Sequence, residues 1–417
     1  MRPASTTPSS SLVRSRALTL LAGLMLVVSA CSAGDDSAAN SSVGGQPEAT
    51  TTSIEDYPDA QTRALRRLAA APRPVPRSAL PPRHLDEERF PESLVDRYRI
   101  VSGGPAPDAI ASIDEPRFEP VSEVDWLEGT EPVLVLVEGT SARAYPIQVL
   151  IWHEIVNDVI GDRAVTVTYC PLCNSGVAFD RTLDGEILDF GTSGALYQSA
   201  LVMYDRQSES LWTHFDGRAV IGDRVGTELE LVPVATVSFA DFAHSHPDGG
   251  VLARHDPAQP YGRNPYGTYD QGDKPPAGFF TGEVDPRAGA KDRVVGIQIG
   301  DSRIAVSLDR LQRDRVLLVE IEGRQAVVWL LPGTASALSS ADATAGVEVG
   351  ATGVFFTERI FAPTEIGFID AETSSQWDVL GNAIKGPAEG ERLEPIEHVD
   401  TFWFAWSGYY PETDLID

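Results

Sequence analysis

Sulfur is the scarce element in this chain. It has three Cys and three Met in 417 residues. Two of the cysteines form Cys170-Pro171-Leu172-Cys173, a CxxC pair whose short turn lets both sulfurs face one point. Pro171 fixes one backbone angle of that turn and stiffens it. Two thiolates at this spacing suit a soft metal ion, a dithiol/disulfide couple, or a small structural disulfide. His153 and Met203 supply an imidazole and a thioether in the same part of the chain. Thiolate, imidazole and thioether together suit copper better than zinc. Zinc takes four ligands and does not ordinarily use Met, so it would need another donor such as His214. The candidate metal ligands are therefore Cys170, Cys173, His153 and Met203, with copper expected first and zinc second.

The redox alternative stays open, because an exported CxxC can cycle between dithiol and disulfide. Against it, Pro follows the first Cys, and Asn174-Ser175-Gly176 interrupts any long helix starting at Cys170. A disulfide here would close only a tiny loop, contributing ~2 kcal/mol by chain entropy. Other motifs fall short. His153-Glu154 opens like HExxH, but position 157 is Asn. His244 and His246 diverge on an expected helix, and no Gly-rich phosphate loop or GxSxG motif is present. No catalytic residue is assigned.

The elements that must position these groups read as β-rich. Val133–Val137 and Ala142–Tyr145 alternate around a Glu-Gly turn and predict a hairpin. Ile147–Asn157 has helical spacing. Ala164–Tyr169 predicts a strand with the CxxC at its end. Strands follow near Ile187–Phe190 and Ala200–Tyr204, and Val237–His246 predicts a short late helix. Tyr261–Phe280, rich in Gly, Pro and Tyr, predicts an ordered loop crossing between lobes.

The chain repeats itself. Gly139–Pro171 aligns without a gap to Gly300–Pro332. Asp205, Ser210 and Trp212 recur as Asp370, Ser375 and Trp377. Two copies are expected at roughly 125–255 and 290–417. The second copy has Leu331 for Cys170, Thr334 for Cys173, Phe368 for Met203 and Asp314 for His153. The sulfur and imidazole groups are thus additional to what the copies share. The expected fold class is α+β, β-rich, with two tandem pseudo-equivalent lobes from an internal duplication.

The N-terminus reads as an export signal. Residues 1–30 carry Arg2, Arg14 and Arg16, no acid, and the apolar run Ala17–Val28, too short to span a membrane as a helix. Val28-Ser29-Ala30-Cys31 looks like a bacterial lipobox, so Cys31 is expected to become the lipid-bearing, palmitate-type first residue of the mature chain. Residues 31–97 read as a Ser/Gly/Thr-rich tether and a Pro-rich approach segment. Residues 98–289 form the first lobe and connecting loop, and 290–417 the second lobe. The globular part is expected to begin near Ile100. The expected location is the extracytoplasmic face of the cell membrane, with the lipid bilayer as partner. A formal net charge of −28 argues against a nucleic-acid partner. Three cysteines exclude a disulfide-stapled scaffold.

Several strings together resemble a bacterial family catalogued as domain of unknown function 3179. They are WHEIVND (152–158), TYCPLCNSGVAFDR (168–181), FGTSGALYQSALVMYDRQSESLW (190–212), NPYGTYD (264–270) and FWFAWSGYYPET (402–413). The resemblance runs from about residue 100 to the end and implies membership without an activity. From the residues themselves, the expected function is soft-metal binding or delivery at the CxxC. The alternatives are a thiol-disulfide oxidoreductase and a non-catalytic surface module with a structural disulfide.

Overall fold

Alternating apolar strands with glycine at the tight turns build this fold. The computed structural model describes Phe90 and residues 92–417. The signal segment, Cys31 and nearly all of the tether lie outside the described residues. The chain meets the fold earlier than Ile100, since Ser93 bridges to Ile221 and Leu94 donates its N–H to the Val220 carbonyl.

In the first half, hairpin β1 (Pro132–Glu138) and β2 (Ser141–Pro146) leads into helix α1 (Ile147–His153). Gly139 makes the turn at φ +58°, a conformation open to Gly and unfavourable for most residues. The sequence predicts helix to Asn157, but α1 stops at His153. Glu154 takes a positive φ and returns its N–H to the Leu150 carbonyl, which ends the helix. The β-branched run that follows becomes β3 (Ile155–Ile160), which pairs with β4 (Arg163–Cys170), and β4 pairs with β5 (Ser175–Asp180). A second hairpin, β6 (Phe190–Tyr197) and β7 (Ala200–Asp205), continues into β8 (Leu211–Thr213) and β9 (Ala219–Ile221). Then β10 (Val234–Ser238) pairs back onto β1, α2 (Phe239–Ser245) follows, and β11 (Gly250–Leu252) lies parallel to β2.

The second half runs through the same series. It comprises β12 (Arg293–Ile299), β13 (Ser302–Ser307), α3 (Leu308–Asp314), β14 (Val316–Ile321), β15 (Arg324–Leu331) and β16 (Ala351–Phe356). Next come β17 (Phe361–Pro363), β18 (Phe368–Asp370), β19 (Gln376–Trp377) and β20 (Ala383–Lys385). It closes with β21 (His398–Phe402), α4 (Trp403–Tyr409) and β22 (Asp414–Ile416). Pairings correspond: β21 sits on β12 as β10 does on β1, and β22 is parallel to β13 as β11 is to β2. Helix α3 even ends as α1 does, with Arg315 at φ +65° in the position of Glu154. In both halves a buried Asp receives the indole N–H of a buried Trp: Trp212 to Asp205 at 2.9 Å and Trp377 to Asp370 at 2.7 Å.

The halves are not separate beads. Strand β10 of the first packs on β16 of the second, and β21 of the second packs on β5 of the first. Two of the apolar clusters accordingly draw on both halves. One joins Val149, Phe190 and Trp212 to Phe402, Phe404 and Trp406. The other joins Val133, Val135 and Val237 to Trp329, Phe355 and Trp377. The 261–280 loop touches both, with Asn264 N–H on the Ala341 carbonyl and the Tyr269 hydroxyl on the Leu172 carbonyl at 2.8 Å.

Candidate functional site

Strand β4 brings Thr166, Thr168 and Cys170 to one face, because alternate residues share a face. Cys170 ends the strand and pairs in register with Ser175 at the start of β5, so residues 171–174 form the connecting turn. That turn is held from the other half. Thr401 Oγ1 donates to the Cys173 carbonyl at 2.7 Å, and the Phe402 N–H donates to the same oxygen at 3.1 Å. Both cysteines are free thiols, 2% and 0% exposed. Cys170 Sγ–H donates to the Ser199 carbonyl at 3.6 Å. Burial raises the Cys173 thiol well above its ordinary pKa, and the neighbouring Cys170 side chain adds to the rise.

A chain of hydrogen bonds leads away from Cys173. Its Sγ lies 2.9 Å from Ser175 Oγ, and Ser175 Oγ lies 2.7 Å from His214 Nε2. Thr168 Oγ1 donates to the Val177 carbonyl at 2.9 Å and sits 3.4 Å from His214 Nδ1. Since the Thr168 proton is engaged, its oxygen is free to accept from Nδ1–H in the tautomer that carries the proton there. With the ring proton on Nδ1, Nε2 accepts from the Ser175 hydroxyl, whose oxygen is then open to the Cys173 thiol; that thiol also faces the Cys170 carbonyl at 3.8 Å. Burial lowers the His214 pKa to about 4, so the ring is neutral at pH 7.

His153 lies elsewhere in the hydrogen-bond network. Its Nδ1 is 2.8 Å from the Ala111 carbonyl and its Nε2 is 2.6 Å from the Tyr261 hydroxyl. Its ring also meets that of His255 edge-on. The imidazole linked to the thiols is that of His214. Nothing in the spacing of His214 from the CxxC pointed to it. Met203 is fully buried in β7, between Thr192 and Trp212, in the apolar cluster that contains both cysteines. Among the described residues, no group of three or more His, Cys, Asp or Glu is arranged to hold a metal ion.

Of the hairpin that reaches Cys170, sequence reasoning had the strand at Ala200–Tyr204 but missed the Gly191–Tyr197 arm and the turn. Beyond the pair Thr192–Met203, β6 and β7 continue for three more pairs and a two-residue turn, Gln198-Ser199. Their counterparts β17 and β18 stop at Pro363–Phe368. Both turn residues have positive φ and both are 0% exposed. Gln198 Nε2, Gln198 Oε1 and Ser199 Oγ have no hydrogen-bond partner.

The registers define what the second half has at each position. Thr168 pairs with Ile155 and Val177, as Trp329 pairs with Val316 and Gly353. Trp329 therefore stands for Thr168, Leu331 for Cys170, Ala351 for Ser175 and Phe368 for Met203. Counting two residues on from the paired tryptophans, Val379 stands for His214. Thr334 is not a counterpart of Cys173, because it lies in the long connection 332–350 that replaces the tight 171–174 turn. In the second half Trp329 stacks on Phe368, ring centroids 4.1 Å apart, and donates its indole N–H to the Val379 carbonyl at 3.0 Å.

No curated protein and no solved structure matches this chain. The family described as "Protein of unknown function (DUF3179)" matches residues 107–413, which take in the CxxC turn, Ser175, Gln198-Ser199, Met203 and His214. With well over half its length matched, the chain belongs to that family.

Proposed function

We propose that this protein is an exported, lipid-anchored member of its family whose first half binds a soft metal ion, copper as Cu(I), through Cys170 and Cys173. One observation carries the reading. The first half holds Thr168, Cys170, Ser175, Met203 and His214 where the second holds Trp329, Leu331, Ala351, Phe368 and Val379. The fold packs this layer with apolar side chains when left to itself. A buried polar set in the same layer is harder to stabilise, so its presence is best explained by a ligand. We read the two halves as duplicated copies, one of which took on the site.

The donor set narrows the metal. Zinc needs about four ligands, whereas Cu(I) is held by soft sulfur donors and needs no His/Cys/Asp/Glu cage. Two thiols at the turn supply that, with Met203 a thioether in the same cluster. Loading must remove the thiol protons. Ser175 and the neutral His214 give the Cys173 proton a first acceptor.

The test is metal analysis of the mature chain in its Cys31→Ser form, purified reduced and without chelator. About one copper per chain, lost in Cys170→Ser and kept in His153→Gln, supports the reading. A chain that takes up no Cu(I) refutes it. The second reading is a dithiol/disulfide couple, favoured by the two free neighbouring thiols. A metal-free protein with a reversible, relatively oxidising potential would establish that instead. Anchoring is tested by fractionation: wild type is expected with membranes and Cys31→Ser in the soluble fraction. Unchanged partitioning would remove the lipid anchor from the proposal.

A further inference from the structure

The Gln198-Ser199 turn is costly to keep. Two-residue hairpin turns with positive φ at both positions favour Asn-Gly, because other side chains are strained there. Here both positions carry ordinary side chains, and three polar atoms are buried with no partner. A Cβ on Gly282 would come within 3.0 Å of Gln198 Oε1, so the turn is closely enclosed. The second half dispenses with it and ends its hairpin at Pro363–Phe368. The extension delivers the turn to one notable neighbour, since the Ser199 carbonyl accepts from Cys170 Sγ.

We propose that Ser199 is a built-in hydrogen-bond donor for the charged, metal-loaded form of the dithiol, its hydroxyl bonding to the Cys170 thiolate once the proton has left. This rests on the Cu(I) reading. When Cu(I) loads, two S–H bonds break, two S–Cu bonds form and two protons leave for solvent. Copper stays in the +1 state and no electron moves. Two thiolates and one Cu(I) leave a net charge of −1 at sulfurs that are 2% and 0% exposed. Such a charge needs donors. With the His214 proton on Nδ1, the Ser175 proton is directed at His214 Nε2. The Ser199 hydroxyl is not engaged, and it belongs to the residue that Cys170 already touches. In the protonated site it has no role, which accounts for its lack of a partner.

The experiment uses the mature Cys31→Ser chain and Cu(I) supplied as its bicinchoninate complex, with affinity read by competition and stability by thermal melting. Ser199→Gly removes the hydroxyl and suits the positive φ. It is expected to melt at or above wild type while Cu(I) affinity falls about tenfold or more, the usual range for a lost outer-shell hydrogen bond. Ser199→Thr keeps the hydroxyl but puts a β-branched residue at positive φ. It is expected to melt lower and retain affinity. The near-ultraviolet copper–thiolate absorption should move to longer wavelength in Ser199→Gly alone, because a thiolate without that bond holds its electrons less tightly. If affinity instead follows the melting temperature across both variants, Ser199 is structural and the proposal falls. If wild type binds Cu(I) and Ser199→Gly binds it equally well, this inference falls and the copper reading stands. If wild type binds no Cu(I), both fall.

Discussion

Acidification should destabilise this protein through one imidazole. His214 is buried and neutral, with a folded pKa of about 4 against 6.5 when unfolded. Between those values the unfolded chain takes a proton that the folded chain refuses, so stability falls as pH drops through the window from about 6.5 to 4. Above 6.5 the ring is neutral in both states and contributes no slope. The gap of about 2.5 units corresponds to roughly 3 kcal/mol, most of it developed by pH 4.5. His214→Gln retains an acceptor for the Ser175 hydroxyl and cannot titrate. Urea unfolding of wild type and variant at pH 7.5 and 4.5 isolates the effect, because carboxylate contributions are common to both. The variant is expected to gain on wild type by about 2–3 kcal/mol as pH falls. Parallel pH profiles would refute the neutral, buried assignment, and with it the direction of the Cys173–Ser175–His214 chain.

Glu154 should give the opposite slope: burial raises its pKa to about 7, so its penalty is present above that pH and absent below about 4.5. Glu154→Gln is therefore expected to stabilise the protein at pH 8 and leave it unchanged at pH 4, read from urea midpoints. In the reduced Cys31→Ser chain, an aromatic disulfide reagent should find no rapidly reacting thiol until denaturant is added, and then two, since both sulfurs are buried; prompt native reaction would show an open site. Asp205→Ala and Asp370→Ala should each lower stability by about 3 kcal/mol, because each strips a buried Trp indole of its acceptor and opens an Asx-type turn. A loss in only one half, measured by denaturant unfolding, would contradict equal roles for the two Asp–Trp pairs.

Local pattern made much of the frame legible. The alternation Val133–Val137 and Ala142–Tyr145 gave the hairpin, and the strand ending in CxxC was read within a residue at either end. The late helix is shorter than expected by a few residues. The failures share a cause. Helix α1 stops early because a positive-φ Glu154, which no propensity favours, is imposed by the strand that follows. The arm Gly191–Tyr197 was missed because GTSG has little strand propensity, and the sheet order beside it supplies the pairing. His153 was grouped with the cysteines through nearness along the chain, whereas α1 turns its ring toward Ala111 and Tyr261. His214 reaches Ser175 through the return of a later strand, a long-range contact with no spacing signature. The sequence offered His214 only as a spare zinc donor, and its place beside Ser175 became legible once its counterpart was seen to be Val379.

The reciprocal packing of β10 on β16 and β21 on β5 has a genetic consequence. Lesions at Thr401 and Phe402 in the second half should disturb the CxxC turn of the first, since they grip the Cys173 carbonyl from across the molecule. Neither half can be trimmed away or carried on a separate gene without leaving the other's core uncovered.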